Sequence, residues 1–205
     1  MGTRVMQAGI VHKCRSSAFT MWLRICFVAV LFTPGCLFEP REAEPPGQGS
    51  SWVVPDLPTK VFTNLESGLE ELTGANYERS LGDQFTFIAL SGDRTELGQE
   101  VYEGWTREVE VAVVQKLVGQ ASKIEVEFPV VTEVTGQGDF SQFDATYVLE
   151  VIFISVPPAT ITYRGKSRFD FRRGGRGWEL IRWEDIEASP PDPTWGRLRG
   201  ELRDL

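Results

Sequence analysis

Four strand-like segments follow one another in the second half of this sequence, and they constrain its fold more than any other feature. Ile124, Val126 and Phe128 alternate with charged residues, the pattern of a half-buried strand. The run 143–155 is apolar at both parities and predicts a central strand covered on both faces. Residues 160–171 alternate again, and 178–185 form the last strand. We therefore predict four consecutive antiparallel strands.

Helical patterns precede these strands. After Pro58 and Thr59, apolar residues at helical spacing predict a helix that ends near Thr73-Gly74, followed by a short turn at 75–81. A break at Gly82-Asp83, a strand at 85–89 and a polar loop at 91–100 come next. Residues 105–117 fit a second long helix, although their valines also suit a strand. The order predicts an α+β domain with its helices on one face of a sheet.

A short helix is predicted after the last strand. Ser189, three nearby prolines and Asp192 form a rigid spacer, and Thr194 can cap a helix carrying Trp195, Leu198 and Leu202. This helix either packs back on the domain or docks a partner. We favour packing back, because an exposed Trp–Leu stripe promotes aggregation.

Several short motifs carry a family resemblance. They are Asn64-Leu65 in the first helix, the segment Tyr77–Leu81 before Phe85-Thr86-Phe87, and the closing run 178–185. With this element order, the chain resembles the nuclear-transport-factor-2-like (SnoaL-like) superfamily over residues 58–186. The resemblance implies a cone-shaped, cystatin-like fold in which helices pack on a curved antiparallel sheet.

The first 35 residues have the pattern of a secretory signal peptide. Basic residues precede the apolar run 25–32, which is too short to cross a bilayer because a spanning helix needs roughly 20 residues. The following Thr33-Pro34-Gly35-Cys36 resembles the bacterial lipobox, although Thr33 and Pro34 depart from its usual residues. That resemblance implies lipidation of Cys36 and a membrane anchor in the bacterial cell envelope, on the periplasmic or surface face. A secreted soluble protein and an uncleaved short anchor are the alternatives.

Removal of residues 1–35 would leave little metal or nucleophile chemistry. The only histidine, His12, and all three cysteines lie at or before Cys36. Zinc sites built from His or Cys and nucleophile–histidine dyads are then excluded from the mature chain, and no cofactor is expected.

The charge of the chain also changes at this boundary, because residues 1–35 hold none of the 29 Asp and Glu. The remaining acidic chain would be repelled by phosphates, which argues against nucleic-acid binding. Residues 36–57 are rich in proline, glycine, serine and acidic residues, a composition that predicts a flexible tether. Residues 187–205 are predicted to form a spacer and a short helix.

The resemblance places any chemistry at the mouth of the cone. Members such as ketosteroid isomerase transfer protons with carboxylates and a tyrosine, which requires a carboxylate whose pKa is raised by apolar surroundings. Glu150 is the first candidate, because it lies between Val148 and Ile152 on the most apolar strand. Other residues that could face the same cavity are Tyr77, Asp144, Tyr147 and Tyr163. We favour the simpler interpretation, in which Glu150 pairs with Arg168 or Arg182 on an outer face.

These patterns favour a membrane-tethered, non-enzymatic domain. Its expected partners are the membrane, through the lipid, and a small apolar ligand or an envelope protein. The alternative is a SnoaL-like isomerase, dehydratase or hydrolase with Glu150 or Asp144 as general base. The sequence leaves the oligomeric state open, with a dimer among the alternatives.

Overall fold

The structure, a computed structural model, describes residues 51–203. The predicted signal peptide, Cys36 and most of the predicted tether lie outside the described residues. The helices are α1 (Thr59–Glu70), α2 (Ala75–Ser80), α3 (Ser91–Leu97), a 3-10 turn (Gln99–Tyr102), α4 (Arg107–Gln120) and α5 (Trp195–Leu202). The strands are β1 (Leu81–Ile88), β2 (Ala121–Gln137), β3 (Phe140–Phe153), β4 (Ala159–Gly174) and β5 (Gly177–Ala188).

The five strands form one mixed sheet with the order β1-β5-β4-β3-β2. β1 runs parallel to β5, and the four later strands pair antiparallel in chain order, as predicted. Helices α1, α4 and α5 contact strands of this sheet, and their apolar side chains join its inner face in one core. The predicted α+β class is confirmed.

The two long helices form where apolar spacing predicts them. In α1 the side chains Val61, Leu65 and Leu69 are completely buried, as one apolar stripe requires. α4 confirms the helical interpretation of its valine-rich sequence: Val113 and Leu117, one turn apart, are buried, whereas Gln115 between them is exposed. The tertiary stripe outweighs the strand propensity of valine here.

Two segments differ from the prediction. Residues 91–100 are α3 and the 3-10 turn rather than a loop, because Asp93 in the polar sequence is buried and accepts a hydrogen bond from Thr194. Gly82-Asp83 lies inside β1 rather than before it. The register of β1 against β5 shifts between Leu81 and Thr86, so the predicted break corresponds to an irregularity within the strand.

β3 is covered on one face only, which corrects the prediction of a strand buried on both sides. Its inward residues, such as Ala145 and Leu149, are buried, whereas Val148 and Ile152 on the other face are partly exposed. The apolar residues on the outer face of β3 therefore do not indicate a second layer of structure that covers the sheet.

Residues 51–55 bind to the domain, beginning with the Ser51 N–H, which donates to Glu71 Oε1 at 3.2 Å. Val53 and the side chain of Asn64 exchange two hydrogen bonds of 2.8 and 2.7 Å, and the guanidinium of Arg79 lies 4.1 Å from the Trp52 ring centroid. The Trp178 N–H donates to the Pro55 carbonyl at 2.7 Å. The last part of the predicted tether is thus bound to the domain, and Asn64 is buried because it holds this segment.

Candidate functional site

The three residues proposed for catalysis lie on opposite faces of β3. Asp144 and Glu150 point to the outer face and are partly exposed, whereas Tyr147 points inward and is buried. An even and an odd position of one strand face opposite sides of the sheet. The two carboxylates and Tyr147 therefore do not share a cavity.

The two outer carboxylates have different surroundings. Asp144 accepts two hydrogen bonds from Arg168, at 2.8 and 3.1 Å, and Lys166 approaches to 3.6 Å. The hydrogen bond from Arg168 holds the pKa of Asp144 below its ordinary value, which is the opposite of what a general base needs. Glu150 lies opposite Thr162 of β4 and Glu125 of β2. The two partners proposed for it bind other carboxylates: Arg168 binds Asp144, and Arg182 donates to Glu184 at 2.7 Å.

The tyrosines are part of the packed interior. The hydroxyl of Tyr147 accepts the backbone N–H of Trp195 at 3.0 Å, and the two rings pack edge to face. Burial raises the pKa of Tyr147 far above its ordinary value, and it raises that of Tyr163 to about 12. Both residues stay protonated at neutral pH. Tyr147 thus positions the start of α5.

The centre of the cone is occupied by an ion pair between α5 and α4. Arg199 and Glu110 are 1% and 0% exposed, and the guanidinium binds the carboxylate through Nε (3.0 and 3.2 Å) and Nη2 (2.9 Å). Glu110 also accepts hydrogen bonds from the Tyr77 hydroxyl (2.5 Å) and Trp105 Nε1 (2.8 Å). The Tyr77 oxygen accepts a further bond from Arg199 Nη2 at 3.1 Å. Bidentate contacts of this kind are the strongest that a guanidinium makes.

Aromatic rings surround the same guanidinium. Its Cζ lies 4.0 Å from the Trp183 ring centroid, 4.4 Å from that of Phe87 and 4.9 Å from that of Trp195. At these distances the negative faces of the rings attract a cation. Burial alone lowers the pKa of Arg199, but Glu110 and neighbouring groups outweigh this and keep it above its ordinary value. Burial and the Glu110 carboxylate raise the pKa of Tyr77, so its hydroxyl remains a donor.

A second pair of carboxylates lies where α5 begins. Asp185 is 4% exposed, and its Oδ1 accepts hydrogen bonds from Ser167 (2.6 Å) and Trp183 (2.9 Å). Its Oδ2 has no hydrogen-bond partner among the described residues. Burial raises the pKa of Asp185 to about 6, despite the nearby Arg199. Burial also raises the pKa of Asp93.

Gly196 closes the space in front of these carboxylates. A Cβ atom at this position would lie 2.5 Å from Asp185 Oδ2 and 3.1 Å from Asp93 Oδ2. Only glycine lets the first turn of α5 approach so closely. Asp185, the inner carboxylate with a free oxygen, is therefore covered by α5.

Two grooves lie on the surface of the described part. One groove of about 500 Å³ lies between Leu57, Phe140 and Trp178. Another of about 510 Å³ lies between α3 and the spacer before α5, with Asp93 and Arg197 in its wall. Neither is lined by Glu110 or Arg199. Within residues 51–203 no group of three or more His, Cys, Asp or Glu could hold a metal ion, and no helix is long and apolar enough to cross a membrane.

The sequence carried a signal for the ion pair that we did not use. Glu110 precedes Val113, Val114 and Leu117 at helical spacing, which places it on the buried stripe of α4. Arg199 falls between Trp195 and Leu202 on the apolar face of α5. Opposite charges at core positions of two helices are a reason to expect a buried pair, because unpaired buried charges are very costly.

Solved structures share this fold at low sequence identity. A candidate aromatic ring hydroxylase from Novosphingobium aromaticivorans has a TM-score of 0.55 at 13% identity, over 68% of this chain and 92% of its own. A candidate scytalone dehydratase from the same organism has a TM-score of 0.54 at 6% identity, over 68% and 91%. A protein from Kribbella flavida has a TM-score of 0.53 at 14% identity, over 69% and 93%. No protein-family model and no curated protein matches this chain.

These similarities confirm the predicted nuclear-transport-factor-2-like (SnoaL-like) α+β fold. Identities of 6 to 14% show the fold alone. The activities that two of the neighbours are named for belong to those proteins, and the same fold hosts different functions.

Proposed function

We propose that this chain is a lipid-anchored protein of the bacterial envelope whose domain is a non-catalytic docking module. The observation that supports it best is the filled cone. Where the family resemblance would place a substrate, α5 inserts Arg199 and Trp195 against Glu110 and Trp183. The inner carboxylates Glu110 and Asp185 are bound by protein donors or covered by Gly196, so neither faces an open cavity.

Docking then falls to the outer surface, and the distal β2 segment (residues 129–137) is its best-suited element. All nine residues are exposed, and three of them are valines: Val130, Val131 and Val134 are 56%, 37% and 49% exposed. β2 is also an edge strand that pairs with β3 alone. An edge strand offers unpaired backbone groups to another extended segment.

The proposed partner is an extended segment of an envelope protein with apolar residues at alternate positions. A second copy of this chain meets that description. If two distal β2 segments pair antiparallel with Thr132 opposite Thr132, Val130 faces Val134 of the other copy and Glu133 faces Val131. Apolar pairs then meet, and no two glutamates oppose each other.

Site-specific photocrosslinking in cells tests the docking proposal. A photoreactive amino acid at Thr132 should give a discrete adduct, whereas one at the exposed Arg94 of α3 should give none. An adduct of twice the chain mass identifies a second copy, and another discrete mass identifies a different envelope protein. The absence of any adduct that is specific to Thr132 contradicts docking at β2.

Membrane fractionation tests the anchor. The wild-type chain should sediment with membranes, and Cys36→Ala should shift it to the soluble fraction because the cysteine carries the lipid. Stable anchoring needs more than one acyl chain or signal. Identical soluble partition of both chains would contradict the lipoprotein proposal.

A further inference from the structure

The surroundings of Arg199 are built mainly from elements other than the helix that carries it. Tyr77 comes from α2, Phe87 from β1, Glu110 from α4 and Trp183 from β5. We call these four residues the guanidinium site. Each of them contacts the guanidinium directly, through a hydrogen bond or a ring face. The scaffold of the domain therefore holds a set of groups around a position that α5 happens to fill.

The chemistry of the guanidinium site suits a planar, delocalised cation. Glu110 presents both oxygens to Nε and Nη2, and the Tyr77 oxygen accepts a further N–H. Trp183 and Phe87 approach the guanidinium carbon at 4.0 and 4.4 Å. An ammonium is compact and strongly hydrated, and it cannot combine a two-pronged contact with stacking. The site is therefore expected to distinguish a guanidinium from an amine of equal charge.

Helix α5 has the properties of an occupant attached through a linker. It is eight residues long and follows the proline-containing spacer 189–193. Six of its eight residues are buried, and Trp195 and Arg199 are the two largest of them. The first turn of the helix meets the carboxylate oxygen of Asp185 that has no hydrogen-bond partner among the described residues. The scaffold binds the backbone of this helix through Tyr147 and Tyr102, and it binds the side chain of Arg199 through the buried ion pair with Glu110.

We infer that the closed part of the cone is a binding site for a guanidinium group and that α5 is its resident ligand. The ligand class that the site accepts in place of α5 is an alkylguanidinium, either as a small compound or as an arginine on a helical segment. This inference concerns the interior of the cone and does not depend on docking at β2.

The test is chemical rescue of the full chain carrying Arg199→Ala. This variant leaves Glu110 without its cation and opens space beside Trp183. Ethylguanidinium should raise its melting temperature by about 3 to 6 °C at a concentration ten times the dissociation constant. Ethylammonium at the same concentration should have less than half that effect. Arg197→Ala is the matched control, because Arg197 lies on the same helix but is solvent-accessible and pairs with Glu96 and Glu201; neither compound should stabilise it.

Two further arms keep the test decisive. If Arg199→Ala does not fold alone, ethylguanidinium must restore its far-ultraviolet circular dichroism, and failure to do so overturns the inference. The double variant Glu110→Gln, Arg199→Ala should lose at least tenfold in affinity for ethylguanidinium, because the carboxylate fork is gone. Equal responses to ethylguanidinium and ethylammonium, or an unchanged response in the double variant, also overturn it.

The source of the guanidinium is distinguished by comparing two probes on Arg199→Ala. One is ethylguanidinium, and the other is a peptide with the sequence of residues 192–203. A midpoint concentration at least tenfold lower for the peptide supports an arginine on a helix as the ligand, since the peptide must displace the α5 of the variant and differs from it in carrying Arg199. Similar midpoints support a small guanidinium compound.

Discussion

Glu110→Gln is the substitution that should damage this domain most for the smallest change in shape. It removes the negative charge that faces Arg199 while both residues stay 1% exposed or less. It also places an amide NH₂ where one carboxylate oxygen now accepts from Tyr77 or Trp105. The variant therefore leaves a buried cation without its counter-charge and at least one buried donor without an acceptor.

The magnitude follows from these losses. Breaking a buried ion pair by removing one partner costs about 3–5 kcal/mol. For a domain of this size, 1 kcal/mol corresponds to about 2–4 °C in melting temperature. We expect Glu110→Gln to lower the melting temperature by about 6 to 20 °C, because the desolvated guanidinium keeps its cost while losing its attraction.

Urea unfolding followed by tryptophan fluorescence is the appropriate assay, since Trp105, Trp183 and Trp195 all lie in the affected region. Arg199→Met is the informative companion variant, because it fills space with an apolar chain. Adding it to Glu110→Gln should recover part of the lost free energy of unfolding, since the uncompensated cation is gone. If Glu110→Gln costs less than about 1 kcal/mol, the value for a surface pair, the filled-cone argument is wrong.

Three other perturbations probe neighbouring contacts. Gly196→Ala should destabilise the domain by about 1–3 kcal/mol in urea unfolding, because its Cβ would meet Asp185 and Asp93, whereas Gly92→Ala, which meets no atom within 4 Å, should not. Burial raises the pKa of Asp185 from its ordinary value of 3.8 to about 6, so the native state binds the proton more tightly than the unfolded state does, and the contribution of Asp185 to the free energy of unfolding should rise as pH falls from 7 towards 4. Asp185→Asn should remove this contribution and leave that of Asp93, whose pKa burial also raises, and an identical pH profile in both chains would refute the prediction. Asp144→Asn should cost less than about 1 kcal/mol, because its partner Arg168 is about 38% exposed; a larger loss would mean that the outer face is covered by another molecule.

Local pattern was sufficient for most of the fold. The stripe of Val61, Leu65 and Leu69 and the alternation in β4 depend on periods of 3.6 and 2, which the backbone imposes directly. Residues 91–100 were misassigned because α3 depends on a contact between Asp93 and Thr194, which are 101 residues apart. No local pattern contains such a contact.

The candidate site was harder to predict than the fold for the same physical reason. Glu150 was chosen because its neighbours Val148 and Ile152 are apolar, but these residues lie on the outer face of β3. Apolar residues two positions before and after a residue lie on the same face of the strand as that residue. They do not show whether this face points into the core or towards solvent. The residues that do fill the interior, Glu110 and Arg199, come from helices 89 residues apart.

The buried pair of Glu110 and Arg199 also explains how α5, a helix rich in charged residues, packs into the core. Three of its eight residues are charged, namely Arg197, Arg199 and Glu201, and two more are glycines. Burial of Trp195, Leu198 and Leu202 favours packing of α5 onto the domain. Burial of an arginine on the same face opposes this packing unless a buried carboxylate pairs with it. Glu110 removes that penalty at one position along the helix and with one orientation. The pair therefore specifies where α5 docks, and the apolar contacts supply the free energy that keeps it there.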